Sequence, residues 1–172
     1  HVGRERHYSF RSRLVADVAY GMLLREQCRD AHRKAAQFLS MRSMEDALDV
    51  ARHYELGDAK QDASYWYALA TQQALSRGDS GAVLRCAESA LRLAPGIRDF
   101  EMHMARSDVF RFRGQREEQC EALEAALAAV RTPTQTARAL TELAWNQSRL
   151  GQGDRALSLA EEAVDAARDS GA

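Results

Sequence analysis

Three glycines recur at a nearly constant interval, and this period limits the possible folds more than any other feature of the chain. Gly78, Gly114 and Gly151 are separated by 36 and 37 residues. Each ends an apolar segment with helical periodicity, and a short polar turn and a second such segment follow it. Repetition of this length is typical of stacked helical hairpins. The period predicts an N-terminal helix within 1–27, a degenerate hairpin at 28–61, and hairpin repeats at 64–97, 100–133 and 137–170.

Composition indicates that the repeated segments are helices. The chain has 31 Ala but only 14 residues of Val, Ile and Thr together. Sheets favour β-branched residues, whereas Ala, Leu, Arg and Glu lose little free energy on entering a helix. We therefore expect an all-α fold of about four antiparallel helix hairpins plus the N-terminal helix.

Small side chains recur at matched positions of the units. The eighth position is occupied by Ala35, Thr71, Ser107 and Ala144. Two later positions are occupied by Ala51, Ala87, Leu123 and Ala160, and by Tyr54, Ala90, Ala126 and Ala163. Small residues at fixed phases allow two helix axes to approach closely. This pattern predicts that each hairpin nests against the next in register, as in a solenoid, rather than around one closed core.

The same positions resemble a known repeat family. The last unit carries Leu140, Leu143-Ala144, Gly151, Ala156, Ala160 and Ala163, and the unit at 64–97 carries Tyr67, Ala70-Thr71, Gly78 and Pro95. This spacing resembles the tetratricopeptide repeat over 64–170, and less closely over 28–61. The middle unit departs from it at His103 and Arg106-Ser107. The resemblance implies a right-handed solenoid whose inner helices line a concave surface for binding proteins or peptides.

A second resemblance lies in the first 54 residues. Its residues are Phe10, Leu14-Val15, Val18-Ala19-Tyr20, Leu23-Leu24, Arg29, His32, Ala35-Ala36, Leu39, Ala51 and His53-Tyr54. They resemble the junction that joins the ATPase region of large bacterial signalling proteins of the STAND/AAA type to a helical-repeat array. Ser12 replaces the usual His, and Ala31 replaces the usual Leu. The resemblance implies a parent linked to a cyclase, a kinase or a LuxR-type transcription activator, and the start at His1 instead of Met favours a fragment.

Charge and cysteine content exclude several classes of partner. The net charge is -1, so no strong positive field favours nucleic acid or acidic lipid, and we expect neither nucleic acid nor membrane as a partner. No apolar run approaches the length of a membrane span. The widely spaced Cys28, Cys86 and Cys120 fit neither a disulfide framework nor a zinc site. We therefore expect reduced cysteines in a cytoplasmic protein.

Signatures of catalysis and of cofactor binding are missing from the sequence. Gly151-Gln152-Gly153 lacks the later glycine of a dinucleotide-binding loop, and a hairpin turn explains it. His32 and His53 lie on separate predicted helices, and helix packing explains them better than a metal site does. We predict that the chain is not an enzyme and has no catalytic residue, no metal ligand and no cofactor.

The tetratricopeptide resemblance assigns partner contacts to set positions of the inner helices. Carried onto this chain, the candidate contacts on the concave face are Tyr65, Gln72, Met104, Asp108, Arg111, Arg138, Thr141, Trp145 and Arg149. Apolar anchors beside guanidinium groups favour an acidic ligand. Two interpretations of Trp145 are equally supported, an anchor in a groove or packing between hairpins, whereas packing is favoured for Phe112.

The sequence thus supports two functional hypotheses. In the first, the chain is a non-catalytic interaction module that binds a peptide or another domain of its parent protein on the concave face. In the alternative, it is an intramolecular spacer or clamp that regulates a parent ATPase, cyclase, kinase or transcription activator. A homodimer formed through the open ends of the solenoid is a further expectation, because such ends expose apolar surface.

Overall fold

The computed structural model describes residues 11–42 and 47–170, which form nine α-helices and no strand. In chain order the helices are α1 (Arg13–Gly21), α2 (Arg25–Arg42), α3 (Ala47–Leu56), α4 (Lys60–Ser76), α5 (Ser80–Leu93), α6 (Asp99–Arg113), α7 (Arg116–Ala128), α8 (Pro133–Arg149) and α9 (Gly153–Asp169). The predicted all-helical fold is therefore confirmed. Residues 1–10 of the predicted N-terminal unit, with Phe10, and residues 43–46 of the degenerate unit lie outside the described residues.

The helices pack as a series of hairpins, each against its neighbours in the chain. Within hairpins, α2 packs on α3, α4 on α5, α6 on α7 and α8 on α9. Between hairpins, α3 packs on α4, α5 on α6 and α7 on α8, and α4 also contacts α6. This order of contacts is that of a solenoid, in which each unit is stabilised by the next. Helices α4, α6 and α8 begin one to four residues before the repeat units proposed from the sequence.

Glycine in the left-handed backbone region makes the turn inside each regular hairpin. The φ angles of Gly78, Gly114 and Gly151 are 71°, 72° and 76°. A side chain at Cβ disfavours this region, so glycine at these places allows the chain to reverse between two helices. A side-chain cap then starts α5, but not α7 or α9. The Asp79 carboxylate accepts a hydrogen bond from the backbone N–H of Ala82 at 2.9 Å.

The matched small residues lie where the helices meet. Thr71 and Ser107 are buried, and each hydroxyl donates to a carbonyl oxygen of its own helix, of Tyr67 and Met104 respectively. Because these hydroxyls are satisfied locally, they can be buried between helices without an unpaired polar group. Ala87 is fully buried at a later matched position. The small side chains at the predicted repeat positions are therefore the ones that allow neighbouring helices to pack closely.

A polar cluster joins the degenerate hairpin to the regular array. The Glu55 carboxylate on α3 accepts hydrogen bonds from the Tyr67 hydroxyl on α4 at 2.6 Å and from the Arg92 guanidinium on α5 at 2.5 Å. Burial raises the pKa of Glu55, but the hydrogen bonds from Tyr67 and Arg92 outweigh burial, and the pKa is lowered overall. Glu55 therefore ties three helices together as a carboxylate.

Helix α1 is attached to the array by a chain of three polar side chains. The Tyr20 hydroxyl lies 2.8 Å from Nε2 of His32, and Nδ1 of His32 lies 2.9 Å from Nδ1 of His53. None of the residues of α1 is buried. Since no residue of α1 is buried, the hydrogen bond between Tyr20 and His32 is an important attachment of α1 to α2, and the contact of His32 with His53 extends it to α3.

Replacing Gly114 by Ala should lower the free energy of unfolding by about 1 kcal/mol, because Ala must adopt a positive φ. Gly153→Ala is the matched control, since Gly153 is the first residue of α9 and does not have a positive φ. It should leave stability unchanged or raise it slightly. Urea unfolding followed by circular dichroism measures both values, and equal stability of the two variants would contradict the turn assignment.

The imidazole of His32 should titrate below its ordinary pKa of 6.5, because burial and the neighbouring His53 both disfavour its charged form. The unfolded chain then takes up this proton first as the pH falls. The contribution of His32 to stability is complete above pH 6.5 and decreases as the pH drops through the folded-state pKa.

NMR titration of the histidine ring signals measures this pKa directly. The variant His53→Gln removes the neighbouring charge and should move the pKa of His32 upward. A His32 pKa at or above 6.5 in the native chain, or no response to His53→Gln, would show that the two rings are not coupled.

Candidate functional site

A positively charged pocket lies where the ends of three helices meet in the last two hairpins. Its volume is about 270 Å³, and it is lined by Arg111, Arg116, Gln119, Glu142, Trp145, Asn146 and Arg149. Arg111 lies in the last turn of α6, Arg116 is the first residue of α7, and Arg149 is the last residue of α8. The tight turn at Gly114 brings the first two arginines together across the hairpin. We call this site the arginine pocket.

The guanidinium groups of the arginine pocket are only partly neutralised. Arg111 lies 2.7 Å from the Asp108 carboxylate and 3.7 Å from that of Glu142. Arg116 donates a hydrogen bond to Oε1 of Gln119 at 2.9 Å. Arg149 is exposed and makes no hydrogen bond or ion pair with the residues that the structure describes. Three guanidinium groups thus face the carboxylates of Glu142 and Asp108, which both pair with Arg111, and the remaining positive charge favours an anion.

Buried amides hold the floor of the pocket in place. Asn146 is buried, and its Nδ2 donates to the carbonyl oxygen of Arg116 at 3.0 Å, which fixes the start of α7 against α8. Nε2 of the adjacent Gln147 donates to Sγ of Cys120 at 3.1 Å. Oδ1 of Asn146 and Oε1 of Gln147 are buried without a partner among the described residues. Asn146 therefore positions Arg116, and Gln147 joins α8 to Cys120 of α7, at the cost of two unpaired acceptors.

Trp145 separates the arginine pocket from a second, apolar depression. Its side chain is 65% exposed and borders both. The second depression runs between α8 and α9, has a volume of about 610 Å³, and is lined by Ala137, Thr141, Ala144, Trp145, Ser148, Ala156, Leu157, Ala160, Ala163, Val164 and Ala167. We call it the end groove. Its lining contains no ionisable side chain, so it fits apolar groups rather than an anion.

The structure distributes the predicted concave-face contacts over several places. Arg111, Trp145 and Arg149 meet in the arginine pocket, with Asp108 bound to Arg111. Thr141 is exposed and lies in the end groove.

The remaining candidates are separate from the pocket. Arg138 pairs with Glu101 across α8 and α6 at 3.5 Å. Tyr65 on α4 lies under the Arg98 guanidinium, 4.8 Å from the ring centre, and Gln72 on α4 is exposed. Arg111, Thr141, Trp145 and Arg149, from the C-terminal part of the predicted surface, thus line the two pockets described above.

Two expectations about apolar residues are wrong. Met104 is 3% exposed and packs with Phe100 and Leu123, so it cannot contact a partner. The reason is that α8 of the following hairpin covers this position of α6. Phe112, expected to pack between hairpins, is 80% exposed at the end of α6 beyond the helix contact, with the Arg111 guanidinium 5.4 Å from its ring centre.

Sequence reasoning missed Arg116, Gln119 and Asn146, which all line the arginine pocket. The family pattern assigns partner contacts to the inner helices, whereas Arg116 and Gln119 belong to the second helix of their hairpin. One signal was available. Gln119 occupies a repeat phase that carries Val83 and Ala156 in the neighbouring units, and a polar residue at an otherwise apolar phase marks a special site.

Within the part of the chain that the structure describes, the other polar side chains form neither a metal site nor an activated thiol at Cys120. No three His, Cys, Asp or Glu residues there are placed to bind a metal ion. The thiol of Cys120 has a pKa raised by burial and by the Glu124 carboxylate, which accepts its hydrogen bond, so it stays protonated. None of the helices in this part is both long and apolar enough to cross a membrane.

Comparison with known proteins shows a likeness of fold. No family model and no curated protein matches the sequence. A crystal structure of MamA aligns with a TM-score of 0.57 at 14% identity, over 94% of this chain and 98% of that chain. A second MamA crystal structure aligns with a TM-score of 0.58 at 15% identity, over 90% of this chain and 85% of that chain. This likeness shows the fold, an array of helical hairpins of the tetratricopeptide type.

Proposed function

We propose that this chain is a non-catalytic interaction module that binds an acidic peptide segment at the arginine pocket, with Trp145 as its apolar anchor. The arrangement of Arg111, Arg116 and Arg149 around a cavity of about 270 Å³ carries the proposal. The cavity accepts a side chain or a chain terminus, not a folded surface. A protein ligand would therefore insert a carboxylate-bearing segment.

The local charges favour an anionic group such as a carboxylate. Arg149 is free to form a charge-assisted hydrogen bond, since no described residue neutralises it. The contact of Arg111 with Glu142 is long, at 3.7 Å, and partly exposed. Such pairs contribute little to stability, so a ligand carboxylate can replace Glu142 at small cost.

Trp145 supplies the apolar part of recognition. It is exposed beside the guanidinium groups, and Trp and Arg are the residues that contribute most often to binding energy when a partner desolvates them. An acidic residue next to a large apolar residue in the ligand would occupy the pocket and cover the indole. By contrast, Arg138 is already paired with Glu101, so the inner surface beyond the pocket is less suited to an anion.

The source of the peptide is proposed from the second resemblance in the sequence. Residues 10–54 resemble the junction of bacterial signalling ATPases, which supports a larger cytoplasmic parent with the peptide in another of its domains. Helices α1 to α3 would then continue from that parent, and the arginine pocket in the last two hairpins would be the interaction site.

Fluorescence anisotropy with labelled acidic peptides tests the proposal. The probes are a panel of Asp- and Glu-containing peptides, each with one Leu or Phe, and neutral peptides in which Asn and Gln replace the acids. Arg149→Ala and Arg116→Ala should each weaken binding of an acidic peptide by roughly 10-fold, which corresponds to one charge-assisted hydrogen bond. Arg77→Ala is the matched control, because Arg77 is an exposed arginine on another hairpin.

Affinity should also fall with added salt, since the recognition is electrostatic. The proposal is wrong if neutral peptides bind as well as acidic ones, if no acidic peptide binds, or if Arg149→Ala and Arg77→Ala have the same effect.

A further inference from the structure

The end groove is the one place where a repeated surface of the described hairpins is left open. On α6 and α7, the equivalent surface includes Met104 and Leu123, and both are buried in an apolar cluster that includes residues of α8. Thr141 and Ala160 occupy the same repeat positions in the last hairpin, and both are exposed. The groove is therefore a continuation of the interface that stacks one hairpin on the next, and a helix is what fits it.

The shape of the groove specifies a helix with bulky apolar side chains. Its floor consists mainly of alanines, and Leu157 and Val164 stand exposed at its side. The array already contains this kind of contact. Met102 of α6 packs against Ala68 and Ala87 of the preceding hairpin. Large side chains from an incoming helix thus fill the space above small ones.

Helix α1 presents a matching face. Leu14, Val18 and Met22 follow one another at intervals of four residues, so they form one ridge along the helix. They are 72%, 56% and 80% exposed. The opposite side of the helix carries Tyr20, which is bound to His32. Helix α1 therefore contacts the array through the side that carries Tyr20, and the ridge on its other side has no partner in the part of the chain that the structure describes.

The charges beside the two surfaces are opposite in sign. The segment 11–25 contains Arg11, Arg13 and Arg25 against a single acid, Asp17, and all four are exposed. Helix α9 contains Asp154, Glu161, Glu162, Asp165 and Asp169 against Arg155 and Arg168, and all seven are exposed. The positive charge lies at Arg11 and Arg25, on either side of α1, and it attracts the segment that carries the ridge towards the acidic helix that forms one wall of the groove.

The ridge and the groove lie at opposite ends of the array. Three hairpins, α2/α3, α4/α5 and α6/α7, come between α1 and the last hairpin in the order of packing. We infer that the ridge of α1 in one copy of this chain docks into the end groove of a second copy. Such a contact is head-to-tail, because different surfaces of the two copies meet, and it leaves a free ridge and a free groove for further copies.

Sedimentation velocity of the purified chain and of two variants tests this inference. Native chain should form dimers and larger species as its concentration rises. Val18→Glu places a charge in the ridge, and Ala160→Glu places a charge in the groove; both positions are exposed, so the fold is retained. Each variant alone should sediment as a monomer. Ala31→Glu, at an exposed alanine of α2, is the matched control and should associate like the native chain.

The decisive sample is the equimolar mixture of the two variants. The intact ridge of the Ala160→Glu chain can enter the intact groove of the Val18→Glu chain, so the mixture should form a heterodimer and nothing larger. A monomeric native chain at every concentration would overturn the inference. So would a mixture that stays monomeric, or Val18→Glu chains that still dimerise, which would indicate that two grooves face each other. Ala160 does not line the arginine pocket, so these outcomes are independent of peptide binding.

Discussion

The close approach of neighbouring helices, made possible by small side chains at matched phases, is the constraint on which the rest of the structure depends. Thr71, Ser107 and Ala126 are buried where helices of successive hairpins or of one hairpin meet. Longer side chains there would separate the axes and break the register of every following unit. The main contacts of each described hairpin are with its neighbours in the chain. The position of each hairpin in the array is therefore set by how it packs on the one before it.

Polar groups then fix the places where the repeat is irregular. Glu55 joins three helices at the degenerate hairpin, and Asn146 joins α7 to α8 beside the arginine pocket. In both places a directional hydrogen bond replaces part of the apolar packing. Gln119 also brings polarity into a repeat position that is apolar in the other units, and Arg116 is held between Gln119 and Asn146 at the arginine pocket.

The sequence predicts those features that depend on local periodicity. The hairpin period, the all-helical fold and the phases of the small residues follow from the spacing of glycines and alanines, and the inner-helix positions assign Arg111 and Arg149 to one predicted concave face. Features that depend on which helix packs against a residue cannot be predicted from local periodicity. Met104 is buried in a cluster to which α8 of the next hairpin contributes, whereas Thr141 at the same phase is exposed because no described helix covers it. The contact of His32 with His53 likewise depends on how two separate helices are rotated.

The most direct measurement of the central claim compares two alanines of the same helix, α7. Ala126 is fully buried at a matched small phase, and Ala128 is exposed two residues later. Ala126→Leu should reduce the free energy of unfolding by about 1–3 kcal/mol, because the added atoms overfill the contact between helices, while Ala128→Leu should change it little. Equal effects of the two substitutions in urea unfolding, or tolerance of leucine at both positions, would contradict the claim that small residues at these phases set the packing of the array.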